Sequence, residues 1–154
     1  MTARDLHTTA PRRWSERIAG IYWLPRLIDK ARAALSGTLG NYLYGQSPMD
    51  RALLRALGLR HREFTSIVRH ARDDDGVLAG IVAWDADSLQ RARAWSETLP
   101  ERHRLFLWLI DVDDGYRSTW FRAPIAAAAN AVSRTAKRFW PSHAAERAAA
   151  PPPE

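Results

Sequence analysis

Over the twelve residues from Leu24 to Leu35 the chain sets Arg26, Asp29, Lys30 and Arg32 at spacings that a helix turns into neighbours. Asp29 stands three residues from both Arg26 and Arg32, so it can pair with either along a helix. If Tyr42 and the Gly37–Gly40 turn fold back over this face, backbone N–H groups and cations converge on one spot. Such a spot can hold a phosphate or a carboxylate. Arg26, Asp29, Lys30, Arg32 and Tyr42 are therefore the candidate ligand-binding residues. The same set more readily makes a structural ion-pair network that locks the connector onto the helix, because structural networks also gather such residues.

The rest of the chain offers little other chemistry. Five His stand at 7, 61, 70, 103 and 143, none spaced with a second ligand as in H-E-x-x-H, so no metal site is expected. His61 and His70 flank a basic helix and are expected exposed. Asp111, Asp113 and Asp114 before Gly115 suggest a calcium loop, but the glycine falls at position five and Arg122 stands where the closing Glu belongs. That stretch reads as a turn. There is no G-x-S-x-G, no G-x-G-x-x-G and no Walker A, so no catalytic residue or cofactor is assigned.

The elements that must position these residues are helical. Pro25 suits a first helical turn, where its missing N–H has no partner to lose. Leu24, Leu27, Ile28, Ala31 and Leu35 recur at helical spacing, and Gly37 supplies the left-handed stop. On a helical wheel Arg26, Asp29, Lys30 and Ala33 fall opposite that stripe, with Arg32 at its flank. Ser47-Pro-Met-Asp50 reads as a capping box with Asp in place of Glu. It opens a helix carrying Met49, Leu53, Leu54 and Leu57. His61 to Ala71 follows with Phe64, Ile67 and Val68, and Asp73 to Asp75 place carboxylates at the positive end of the next helix.

Another helix starts near Ser88, and a further start falls at Thr98. Leu105 to Ile110 is long enough for a buried strand, but Leu and Phe dominate it and no second strand is available, so it is read as a buried helix. From Pro124 a basic amphipathic helix carries Ile125, Ala128, Ala129, Val132, Ala136, Phe139 and Trp140 on one face. Arg134, Lys137 and Arg138 lie off that face. Together with Trp140 these cations could meet a membrane surface, although a terminal helix capping the core explains the pattern better. The seven Trp fall mostly on apolar faces and are expected in the core.

The expectation is thus an all-α fold, one compact helical domain of about six or seven helices. It spans residues 14–140, after a loose arm at 1–13 and before a disordered Ala/Pro tail at 141–154. No cysteine is present, which excludes disulfides and thiolate metal sites, and no run is long enough for a membrane span. The N-terminus lacks an apolar leader, so a cytoplasmic protein is expected.

Net charge is +6, which suits an anionic partner. It is also segregated: residues 1–72 carry thirteen basic and five acidic groups, whereas residues 73–114 carry four and ten. That order fits internal pairing of segments as well as it fits a nucleic-acid stripe.

Several of these stretches form a pattern together. Pro11-Arg-Arg-Trp-Ser15, Ile21 to Leu24, Leu24-Pro-Arg-x-Ile-Asp-Lys-x-Arg32, Gly37-x-Leu-Gly-x-Tyr42, Asp50, Leu57-Gly58, Phe64 and Trp84 resemble domain of unknown function 5069. The resemblance runs from about Pro11 to Trp84. It implies a small bacterial helical domain built on the Pro25–Leu35 helix, and it implies no reaction, substrate or cofactor.

Three functions follow as expectations, the third being a purely structural protein–protein module that uses the C-terminal helix. The first is a binding or adaptor module whose basic surface meets an anionic ligand, a nucleic acid or a partner protein. The second is a small enzyme or ligand-binding domain that holds an anionic metabolite at Arg26, Asp29, Lys30 and Tyr42.

Overall fold

The computed structural model describes residues 3–118, 120 and 122–139. The expected tail at 141–154, Trp140 and the side chain of Phe139 lie outside these. Among the described residues the fold is all-α, eight helices joined by short turns, with a single two-stranded hairpin near the N-terminus.

That hairpin was not expected. β1 (Arg17–Ile18) pairs antiparallel with β2 (Ile21–Tyr22), Ile18 facing Ile21 across the loop Ala19-Gly20. Both loop residues have positive φ, as a type I′ turn requires. Ala-Gly carries a weaker turn signal than Asn-Gly, and so the turn escapes a reading of residue types.

α1 (Leu24–Ser36) is the centre of the molecule. Leu24, Leu27, Ile28 and Ala31 are fully buried, as their spacing predicts. Pro25 sits in the first turn and Gly37 ends the helix in the left-handed conformation, its N–H reaching the carbonyls of Ala33 and Ala34. α2 (Pro48–Ala56), α3 (His61–His70) and α4 (Asp74–Trp84) follow at the expected places. α3 lies between α1 and α4, with Phe64 and Val68 turned inward.

Ser47 Oγ accepts from Asp50 N at 3.1 Å, which is half of the expected capping box. The other half is diverted, because the Asp50 carboxylate turns into the core. Asp73 caps α4 by accepting from Gly76 N at 2.8 Å.

α5 (Ser88–Glu97) packs on α2 and β2, and α6 (Leu99–Arg102) is a single turn leading into α7 (Arg104–Asp113). The Leu105–Ile110 run is helical as read, yet only Leu107 is buried and Leu105 is 71% exposed. α7 also extends through Asp111 and Asp113, so the expected turn shrinks to Asp114-Gly115.

α8 (Arg122–Phe139) packs on α7 with a face rotated from the expected one. Val132 is 65% exposed, and Ser133 is buried in its stead with its hydroxyl donating to the Asn41 carbonyl. Lys137, expected outside, donates to Gly40 O at 2.5 Å. The surface beneath α8 is a turn whose carbonyls need donors, so polar side chains face it.

The loose arm is corrected as well. Leu6 is buried and its N–H donates to Thr38 O at 2.8 Å. Gly40 has φ +59°, and a Cβ there would meet Leu6 O at 2.4 Å, so only glycine lets the arm lie this close.

Candidate functional site

Each charged side chain of α1 is matched by a group from elsewhere in the chain. Arg26, Asp29 and Lys30 are 3, 5 and 2% exposed, so their face is buried rather than open to water. Arg26 donates to both Asp114 oxygens, at 2.6 and 3.3 Å. Lys30 Nζ donates to both Asp50 oxygens, at 2.5 and 2.6 Å, and to Leu43 O at 3.1 Å. Arg32 Nη1 reaches Asp74 at 2.7 Å.

Asp29 does not pair with Arg26 or Arg32. It accepts from Arg12, at 2.8 Å from the backbone N–H and at 2.8 and 3.0 Å from the guanidinium. Arg12 also donates to Asp74 at 2.6 Å, so a single guanidinium ties the arm to α1 and α4. The correction has a physical reason: pairing along a helix belongs to exposed surfaces, while a helix enclosed on all sides finds better partners across the core.

The fold-back of Tyr42 is present. Its hydroxyl donates to Asp114 at 2.9 Å and its ring lies 5.5 Å from the Arg26 guanidinium. Cations and donors do converge as the sequence suggests, but the chain's own carboxylates stand where an external anion would. Asp114 fills that role for Arg26 and Tyr42. Asp50 fills it for Lys30, Trp23 Nε1 at 2.8 Å and Gly45 N at 2.9 Å. Burial pushes the Tyr42 hydroxyl above its ordinary pKa, reinforced by Asp114, so Tyr42 stays a neutral donor. Burial likewise pulls Lys30 down, with Asp50 opposing.

Arg13 extends the network to α7, donating to Asp111 at 2.9 and 2.5 Å. Burial by itself would raise the carboxyls of Asp74 and Asp111, but Arg12 and Arg32 on the one, and Arg13 chiefly on the other, hold both below the usual range. The unfolded chain therefore takes up these protons first, and the stability they confer is present above the unfolded carboxyl pKa, about 4. It is lost as pH falls below that value. A melting temperature that drops between pH 5 and pH 3 is expected, with a shallower drop in Arg13→Ala; parallel profiles for the two proteins would remove Asp111 from the effect.

With the buried charges matched, the excess positive charge lies outside. Residues 51–72 hold six arginines, Arg51, Arg55, Arg60, Arg62, Arg69 and Arg72, against the single carboxylate Glu63, and all six are exposed. Two grooves cross this surface. One, of about 590 Å³, runs between α2 and the start of α3, with Arg51, Arg55 and Arg60 over the apolar floor of Pro48, Leu54 and Leu59. The other, of about 970 Å³, lies between α3 and α4 and is lined by Arg60, Arg62, Arg72, His70 and Trp84. Arg60 lines both, so the two grooves adjoin at its side chain.

Two carboxylates share the second groove, and both are engaged. Glu63 accepts from the Arg60 backbone N–H at 2.7 Å and also from the Arg60 guanidinium, and Asp73 caps α4. His61 is corrected from exposed to half-buried, its ring 4.3 Å from that of Tyr44. His70 is exposed as expected. Among the described residues no group of three or more His, Asp or Glu is placed to hold a metal ion, and no helix is long and apolar enough to cross a membrane.

The charge order places an excess of arginine in residues 1–72, but composition gives no sign of which arginines the core consumes. Trp84 was expected in the core and is 53% exposed. The roles of Arg12, Asp50, Asp74 and Asp114 could not be found from residue types at all, since their charged partners lie between 17 and 88 residues away.

The family model described as domain of unknown function (DUF5069) matches residues 8–116. The match takes in the arm from Thr8, all of α1 to α7 and the arginine surface, and stops ahead of α8. No curated protein matches the chain.

Proposed function

We propose, for a chain that belongs to the domain of unknown function 5069 family, a non-enzymatic role as a module that binds an extended polyanion along the α2–α3 surface. The observation that carries this reading is that the two grooves meet at Arg60, on a surface where six exposed arginines face only Glu63 and the α4-capping Asp73. A compact anion would need a closed pocket, whereas two open grooves in series suit a chain of charges. A cytoplasmic setting, where such polyanions are abundant, belongs to the same reading. The second expectation, an anionic metabolite at Arg26, Asp29, Lys30 and Tyr42, has no observation favouring it once Asp114 and Asp50 occupy those partners.

The test uses heparin as the probe. Binding is expected to weaken steeply with salt, because ion release from a polyanion drives it. The double substitution Arg55→Glu/Arg62→Glu is expected to lower affinity at least about tenfold at low salt, through lost and reversed contacts. Both side chains are exposed, so the melt should match the parent protein. Affinity indifferent to salt, or unchanged in the double variant, would exclude this surface.

A further inference from the structure

α4 is apolar nearly all round, yet only Val77 and Ile81 are buried. Its outer side therefore leaves apolar groups on the surface, and the largest is Trp84 at its C-terminal end. Trp84 lines the groove between α3 and α4. Along the groove Gly76 and Gly80 take the place of larger side chains. A Cβ on Gly80 would come within 2.6 Å of Ile67, so the two helices nearly touch and the floor is shallow and apolar. Arg60, Arg62 and Arg72 stand along it.

We infer that this groove takes single-stranded nucleic acid, with phosphates on the arginines and a base stacked on Trp84. The inference rests on the polyanion reading above and narrows it to one class of partner. Single strands need cations for the backbone and an exposed aromatic face for unpaired bases, and the groove sets the two side by side. A duplex keeps its bases stacked inside and would use the arginines alone. A polyanion without bases would likewise have no use for Trp84 or for the apolar floor.

The experiment measures binding of a labelled oligothymidylate of roughly twenty nucleotides, with its duplex and inorganic polyphosphate as competitors. The parent protein is expected to prefer the single strand to both. Trp84→Ala should weaken the single strand about five- to hundredfold and leave polyphosphate affinity unchanged, while Trp84→Phe should keep most of the binding. Equal loss for both ligands in Trp84→Ala, no loss for either, or a preference for the duplex would overturn the inference while leaving the polyanion surface standing. Failure of the parent protein to bind any of the three would overturn both.

Discussion

Asp50→Ala is expected to cost about 3–5 kcal/mol, the range for breaking a buried ion pair from one side. In a domain of this size that is a fall of roughly 6–20 °C in melting temperature. Asp50 is fully buried and receives Lys30, the Trp23 indole N–H and Gly45 N–H together. Its loss leaves an ammonium that is itself 2% exposed with only the Leu43 carbonyl for company. Three segments come apart at one point: the entry to α1 at Trp23, the connector at Leu43 to Gly45, and the first turn of α2. Lys30→Met in the same background removes the stranded charge, so Asp50→Ala/Lys30→Met is expected to recover a large part of the loss. Denaturant unfolding of the two single variants and the double one measures the coupling. If the double variant is no more stable than Asp50→Ala alone, the cost comes from the lost Trp23 and Gly45 bonds and not from the buried ammonium.

How much of this could be read beforehand depends on the range of the interaction concerned. Helix starts and stops are local, and Pro25, Gly37, Ser47-Pro48 and Asp73 mark them where they stand. The apolar stripe of α1 is local as well. Its polar residues mislead, since a helical wheel sorts residues into two faces and assumes that one meets water. α1 meets protein on both, so Arg26, Asp29 and Lys30 are core residues despite their type. Their partners sit on the arm, α2 and the end of α7, which no spacing rule within α1 can reach.

The segregation of charge did carry this information in coarse form. Acidic residues 73–114 supply Asp74, Asp111 and Asp114 to arginines of residues 1–72, so the imbalance between the segments is partly the network itself. Leu6 shows the opposite limit. A lone apolar residue in a polar run has no periodicity, and only the close approach at Gly40 gives it a place to dock.

Asp113 and Asp114 are adjacent and are expected to respond in opposite directions. Asp114 accepts two bonds from Arg26 and one from Tyr42, and Arg26 is 3% exposed. Asp114→Ala strands that guanidinium with only the Arg12 carbonyl at 3.5 Å, at an expected cost of about 3–5 kcal/mol. Tyr42→Phe removes only a bond to a charged acceptor and is expected to cost roughly 1–3 kcal/mol.

The Asp113 carboxylate makes no hydrogen bond or ion pair with the described residues, although Arg26 and Arg122 act on it from a distance. It is half-buried, and burial first, then the neighbouring Asp114, raises its carboxyl above the ordinary range. A carboxyl with a raised folded pKa favours the folded state below that pKa and loses this contribution as pH rises through it. Asp113→Asn is therefore expected to give a small gain in stability at pH 7 that vanishes below about pH 4, where both chains carry a neutral group. Urea unfolding of the three variants at the two pH values separates the roles. Equal losses at Asp113 and Asp114 would mean that Arg26 draws on both carboxylates, and that the pairing of α1 with the end of α7 is shared between them.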